Sequence, residues 1–238
     1  MKFEVHPDDE AAARRAAAVI AADLRAAVAA RGRFVMAVSG GRTPWRMLRV
    51  LADEQLPWEQ VHVFQTDERV APAGDPDRNL AHLRASLLDR APLRADHIHA
   101  MPVEAADLNR AAEQYVATLR DVAGAPAVLD LIHLGLGPDG HTASLVPGDP
   151  ALDAAAAVAL SGPYQGRRRM TLTFPLINRS RRILWLVTGG EKADALVRLC
   201  AGDRSIPASR VRRADALVIA DRAAARRLET HQELEAEK

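Results

Sequence analysis

Short apolar runs that break into glycine turns and then into helices recur along this chain, and they limit its fold more than any other feature. Phe34–Val38 runs into Ser39-Gly40-Gly41-Arg42-Thr43-Pro44 and a helix with Trp45, Leu48 and Leu51 on one face. Ile183–Val187 runs into Thr188-Gly189-Gly190-Glu191-Lys192 and a helix through Leu199. Leu129–Gly148 opens as an apolar run, then turns through Gly135-Leu136-Gly137-Pro138-Asp139-Gly140 and delivers His141. Continuous apolar runs of this length read as strands buried on both faces, which belong to parallel sheets. Val61–Gln65 and Ala216–Ala220 supply two more, and a weak strand is expected around Ile98. Between them lie helical stretches. One opens at Pro7 and Asp8, with Asp8 as cap, and stops at Gly32; another covers Glu104–Val122 with Leu108, Tyr115 and Leu119. Pro175–Asn178 reads as a helical turn, and Asp221 as the cap of a last helix.

This alternation predicts one α/β domain over residues 1–238, a mostly parallel sheet flanked by helices. No linker-like stretch divides it. The charged segment from about Glu229 lacks an apolar face and reads as a frayed tail.

In such sheets ligands bind beyond the carboxyl ends of the strands, so the turns there are the candidate site. The Ser39–Thr43 turn is either an anion cradle of crowded backbone amides or a plain tight turn. It is neither a nucleotide P-loop nor a dinucleotide fingerprint, since both glycine spacings are absent. Thr66-Asp67-Glu68-Arg69 follows the third strand; charges there face solvent, the default, or a polar site, because burying them unpaired is costly. The loop through Pro72, Gly74, Pro76 and Asn79 is long and irregular, as pocket-lining loops are. His141, beside Asp139, is a candidate general base. Asp139 either orients that ring or only bonds local amides of the turn. Arg167-Arg168-Arg169 starts a half-buried strand and is either a solvated edge or a phosphate clamp. Lys192 sits in a first helical turn, where a cation fits better if an anion lies beside it.

Other features read as structural. His97 and His99 flank Ile98 without a third ligand spaced for a metal and are expected at the surface. Cys200, the one cysteine, is expected as a small core residue. Between Gly148 and Arg167 the alanine-rich chain shows no readable pattern. The 238 residues are 48% hydrophobic and 26% charged, the values of a soluble globular protein, with a formal net charge of +1. Such a charge gives no field for nucleic acid or an anionic membrane. The start, MKFEVHPDDE, lacks a signal-peptide core, and no run could span a bilayer. One cysteine allows no internal disulfide, which suits a reducing cytoplasm.

Four blocks, in order along the chain, resemble one family: SGGRTP at Ser39–Pro44, TDERVAP at Thr66–Pro72 with Asn79 downstream, GLGPDGHTASLVPG at Gly135–Gly148, and GGEKA at Gly189–Ala193. Arg169-Met170-Thr171 is a fifth, weaker one. The chain is similar to the glucosamine-6-phosphate isomerase/6-phosphogluconolactonase superfamily, on its lactonase side. That resemblance implies a Rossmann-like α/β domain needing no metal or organic cofactor. It implies hydrolysis of 6-phospho-D-glucono-1,5-lactone to 6-phosphogluconate in the pentose phosphate pathway. By motif position His141 matches the proton acceptor, and Ser39, Gly40, Gly41, Arg42, Thr43, Arg169 and Lys192 the phosphate pocket. Asp67 and Arg69 fall in the block lining the sugar. Arg69 or backbone amides of Gly137–Gly140 could meet the charge that grows on the lactone oxygen.

The partner expected is therefore a small sugar-phosphate lactone, met by a cytoplasmic monomer or weak homodimer. The isomerising deaminases typically follow Asp-Gly-His with a run containing a glutamate. Here Thr142–Pro147 has none, which favours the lactonase. A non-catalytic sugar-phosphate-binding module is the remaining alternative.

Overall fold

The computed structural model describes residues 1–228; the tail expected from Glu229 lies outside the described residues. Seven strands form one parallel sheet among these residues, in the order β1-β10-β9-β6-β2-β3-β5. They are β1 (Lys2–His6), β2 (Phe34–Val38), β3 (Val61–Gln65), β5 (Ile98–His99), β6 (Leu131–Leu134), β9 (Arg182–Val187) and β10 (Ala216–Asp221). The expected strands at 34–38 and 61–65 occupy those residues, and the mostly parallel α/β architecture is as predicted. β1 went unread because its sequence, KFEVH, carries only two apolar residues and both stay exposed on the sheet edge.

Both faces of the sheet are covered, which explains the uninterrupted apolar runs. Phe34, Met36 and Val38 of β2 enter one core, with α1 (Asp9–Arg31) and α2 (Arg42–Ala52); Val35 and Ala37 enter the other. On that second side lie α4 (Leu108–Ala123), α5 (Phe174–Ile177), α6 (Ala193–Ala201) and a small second sheet. α1 is capped as read. Asp8 accepts a hydrogen bond from the Ala11 N–H at 2.7 Å, and Gly32 closes the helix in the left-handed region at φ 73°. α4 begins at Leu108 rather than near Glu104, because the Asp107 side chain takes the N–H groups of Asn109 and Arg110 and caps there. α3 (Asn79–Leu83) continues as one turn of π-helix, and α7 (Arg222–Ala225) starts at the Asp221 cap.

The second sheet is the main departure from the predicted architecture. It is antiparallel and ordered β4 (Asp67–Arg69), β8 (Arg167–Leu172), β7 (Val158–Tyr164). β7 lies in the stretch that carried no readable pattern: Ala157-Val158-Ala159-Leu160-Ser161-Gly162-Pro163-Tyr164 offers small side chains and a bulge rather than clean alternation. The small sheet is tied to the large one where β3 ends, through Thr66 N to Val38 O and Leu172 N to Thr66 O.

Two minor expectations are corrected. His97 and His99 are half-buried rather than surface groups: His62 stacks on His97, and its Nδ1 lies 3.1 Å from His99 Nε2. Cys200 is half-buried, at the edge of the core.

The strand order decides where a site can form. From β2 the chain moves outward to β3 and β5; from β6 it moves the opposite way to β9 and β10. Neighbours whose connections leave in opposite directions open a crevice at their carboxyl ends. Ser39 and Gly135 stand there.

Candidate active site

A cleft of about 540 Å³ occupies this crevice. One wall is the turn after β2. Ser39 is locked beneath it: its N–H donates to His133 Nδ1 at 3.3 Å, and its hydroxyl donates to His133 O at 3.1 Å. Burial drives the His133 imidazole down to a pKa of about 3, so it is a neutral acceptor there. The two glycines have separate reasons. A Cβ on Gly40 would lie 2.1 Å from Asn79 Oδ1, and Gly41 holds φ 125° as the residue before α2. No side chain caps α2 and its first turn has no acidic residue. Its leading N–H groups and the positive end of its dipole therefore remain for an anion.

The turn after β9 faces it. Thr43 and Thr188 join their hydroxyls across the gap at 2.6 Å. The Asp221 carboxylate, besides capping α7, accepts the Gly189 N–H at 3.1 Å and anchors this turn. Lys192 lines the cleft half-buried. Burial lowers its pKa, opposed by Glu191 and Asp139.

His141 comes from the turn after β6. Its ring Nδ1 lies 2.6 Å from Asp139 Oδ1, and its backbone N–H donates to the same oxygen at 3.1 Å. Asp139 therefore contacts the His141 ring as well as a local amide of the turn. Burial pushes the Asp139 carboxyl up, but the His141 backbone, the His141 ring and the Tyr164 hydroxyl together bring it below its ordinary value. An ionised carboxylate can only accept. In the neutral ring the proton therefore belongs on Nδ1, which leaves the lone pair on Nε2. Gly137 makes the ring position possible, since a Cβ there would lie 2.1 Å from His141 Nδ1.

The Thr66–Arg69 cluster is buried rather than solvated, which corrects the default reading. Glu68 is fully buried and structural. It accepts the N–H groups of Arg69 (2.7 Å), Asn79 (2.8 Å) and Leu80 (2.8 Å). Arg78 Nε is 3.2 Å from its carboxylate, a charge contact without hydrogen-bond geometry. Asp67 turns into the cleft, held by the Ser144 hydroxyl at 2.6 Å. Arg69 and Arg169 pair directly across the β4–β8 ladder and both line the cleft. Like charges placed opposite one another repel. Their Nε atoms, with Asn79 Oδ1, find no hydrogen-bond partner among the described residues. Arg167 instead pairs with Asp75 and Asp77, and Arg168 is exposed, so Arg169 is the arginine of the three that faces the cleft.

Ser39, Gly40, Gly41, Arg42, Thr43, Asp67, Arg69, His141, Arg169 and Lys192 thus line one cleft, and Asp139 stands behind His141. The backbone amides of Gly137 and Gly140 are not free for an incoming oxygen: they donate to His141 O and Gly137 O. Sequence reasoning missed Thr188 and Asp221 at the cleft, gave Asn79 no role, and passed over Tyr164. Gln165-Gly166 after Tyr164 was the available signal, a two-residue hairpin turn with both residues at positive φ (52° and 79°). Among the described residues no group of three or more His, Cys, Asp or Glu is placed to hold a metal ion.

A family model described as glucosamine-6-phosphate isomerases/6-phosphogluconolactonase matches residues 7–219. The chain belongs to this family. Among members of the glucosamine-6-phosphate isomerase/6-phosphogluconolactonase family, a 6-phosphogluconolactonase of Synechocystis sp. is 42% identical over 186 residues, covering 76% of this chain and 78% of that one. A 6-phosphogluconolactonase of Mycobacterium tuberculosis is 36% identical over 241 residues, covering 95% and 98%. The crystal structure of 6-phosphogluconolactonase from Thermotoga maritima matches with a TM-score of 0.84 at 26% identity, over 92% of this chain and 98% of that chain.

Proposed function

We propose that this chain hydrolyses 6-phospho-D-glucono-1,5-lactone to 6-phosphogluconate, the lactonase step of the pentose phosphate pathway. The observation that carries this reading is the His141–Asp139 contact of 2.6 Å, with His141 lining the same cleft as Arg42, Arg69, Arg169 and Lys192. The family and the lactonase names of its relatives support it.

In this reading the uncapped start of α2, with Ser39–Thr43, Lys192 and Arg169, grips the 6-phosphate. Gripping a remote anion fixes the far end of the sugar and sets C1 against the imidazole, a positioning effect. His141 Nε2 takes a proton from water as the water oxygen attacks C1. Neutral imidazole is well matched to that task near pH 7. Asp139 holds the ring and stabilises the imidazolium that forms. Negative charge then grows on the C1 oxygen. With the Gly137 and Gly140 amides engaged within the turn, Arg69 is the donor assigned to it. The imidazolium returns its proton to the ring oxygen as the bond from C1 to that oxygen breaks, and the acid is released. Asp67 balances the two arginines and accepts a sugar hydroxyl.

The sister activity, isomerising deamination, is disfavoured by the absence of a glutamate in Thr142–Pro147. No helix among the described residues is long and apolar enough to cross a membrane. The reading extends to a cytoplasmic enzyme acting as a monomer or weak homodimer.

Acid release from freshly generated 6-phosphogluconolactone, corrected for spontaneous hydrolysis, tests the reading. His141→Ala should lose roughly 10²- to 10⁴-fold in rate while still binding 6-phosphogluconate. Saturable binding by the wild-type protein without acid release would instead identify a sugar-phosphate-binding module.

A further inference from the structure

The hairpin of the small sheet reaches back to the base of the cleft with one side chain. Tyr164 is the last residue of β7, and the turn at Gln165-Gly166 folds the chain sharply into β8. Its hydroxyl donates to Asp139 Oδ2 at 3.2 Å, the carboxylate oxygen that His141 does not use. Its ring stands edge-on to the His141 imidazole, with centroids 5.3 Å apart and planes at 65°. The Arg169 guanidinium lies over the same ring, 4.9 Å from its centroid. One tyrosine from the second sheet thus touches the base, the carboxylate behind it and a cleft arginine, without itself lining the cleft.

We infer that Tyr164 is a positioning residue, holding from behind the carboxylate that in turn orients the His141 ring. The inference rests on the lactonase reading for its kinetic consequence only. A carboxylate held through one oxygen only, as Oδ1 is by the His141 ring and backbone N–H, can still tilt about its Cβ–Cγ bond. A donor on the second oxygen removes that freedom and fixes the plane in which the ring can lie. The same hydrogen bond draws electron density from the carboxylate, which weakens its pull on the imidazole proton. The other charged groups near His141, Asp139 and Tyr164 are Lys192, which feels the charge of Asp139, and Arg169, which sits among Asp67, Arg69 and Asp77. Tyr164→Phe leaves both of these cations in place.

Tyr164→Phe keeps the ring, its edge contact and the surface under Arg169, and deletes only the hydroxyl. For the lactonase, kcat should fall by about tenfold, the scale of one hydrogen bond to a charged group, with KM within twofold. The acid limb of kcat/KM should move to higher pH, because Asp139 then pulls harder on the ring proton. Histidine NMR titration of the whole protein, which needs no turnover, should show the His141 pKa rising in Tyr164→Phe. In an Asp139→Asn background the same substitution should leave it unmoved, since the effect runs through Asp139. An unchanged His141 titration in Tyr164→Phe overturns the inference, as does an equal rise in both backgrounds. If the wild-type protein releases no acid, the lactonase reading falls, and the titration still decides the role of Tyr164.

Discussion

At the residue scale, the proposed roles divide into groups that react and groups that bind, and substitutions can tell them apart. Asp139→Asn keeps the shape of the side chain but replaces the acceptor beside His141 Nδ1 with an amide that can present its NH₂ there. The tautomer with a free Nε2 lone pair then loses its support, and kcat should fall by roughly 10²-fold or more, read by acid release at fixed pH. Lys192→Ala should act on binding instead. Its half-buried ammonium has no salt-bridge partner among the described residues, so its removal should raise KM and weaken 6-phosphogluconate binding while kcat changes less. Unchanged affinity for 6-phosphogluconate, measured by calorimetry, would remove Lys192 from the phosphate site. Gly137→Ala tests sterics: its Cβ would land 2.1 Å from His141 Nδ1. The ring must shift, and activity should drop with little change in the melting temperature.

At the element scale, the least regular pieces do the most positioning. β4 is three residues long, yet it carries Asp67 and Arg69 into the cleft and roots Glu68 in the interior. Glu68→Gln should cost about 3 kcal/mol in urea unfolding, because three backbone N–H groups and the Arg78 guanidinium converge on that carboxylate. Much of this was legible beforehand, but unevenly. Strands buried on both faces announce themselves as apolar runs, and Asp8, Gly32 and Asp221 marked their helix ends. The second sheet did not, because its β7 strand is rich in small residues and bulged, and because β4 consists of three charged residues. Local pattern carries no sign that Glu68 will find four hydrogen-bond donors, the Gln65 side chain and three backbone N–H groups, contributed by residues up to twelve positions away. For the site, the turns that deliver His141, Lys192 and the Ser39–Thr43 segment were readable from glycine and strand order. The partners behind them, Tyr164 and His133, come from elements distant in sequence and left no local mark.

At the scale of the whole molecule, buried imidazoles set the response to acid. His62 and His99 have pKa values lowered to about 4, first by burial and then by His97, and burial lowers His133 to about 3. The unfolded chain takes up these protons near pH 6.5. Stability from the neutral rings is therefore fully present above that pH and is lost as pH falls toward 4 and 3. The carboxylates whose pKa is lowered, such as Asp203 at about 2, act only at still lower pH. A fall in melting temperature between pH 7 and pH 5 accordingly belongs to the histidines. His62→Gln should flatten it, and an equally steep fall in that variant would show that the His62–His97–His99 stack is not its source.

The reversal of strand order between β2 and β6 has one more consequence. The hollow beside Ser39 and Gly135 is a product of connectivity and exists whatever side chains are chosen to furnish it. Damage to the reacting groups and damage to the receptacle are therefore separable injuries, and a chemically inert variant should remain a competent sugar-phosphate trap.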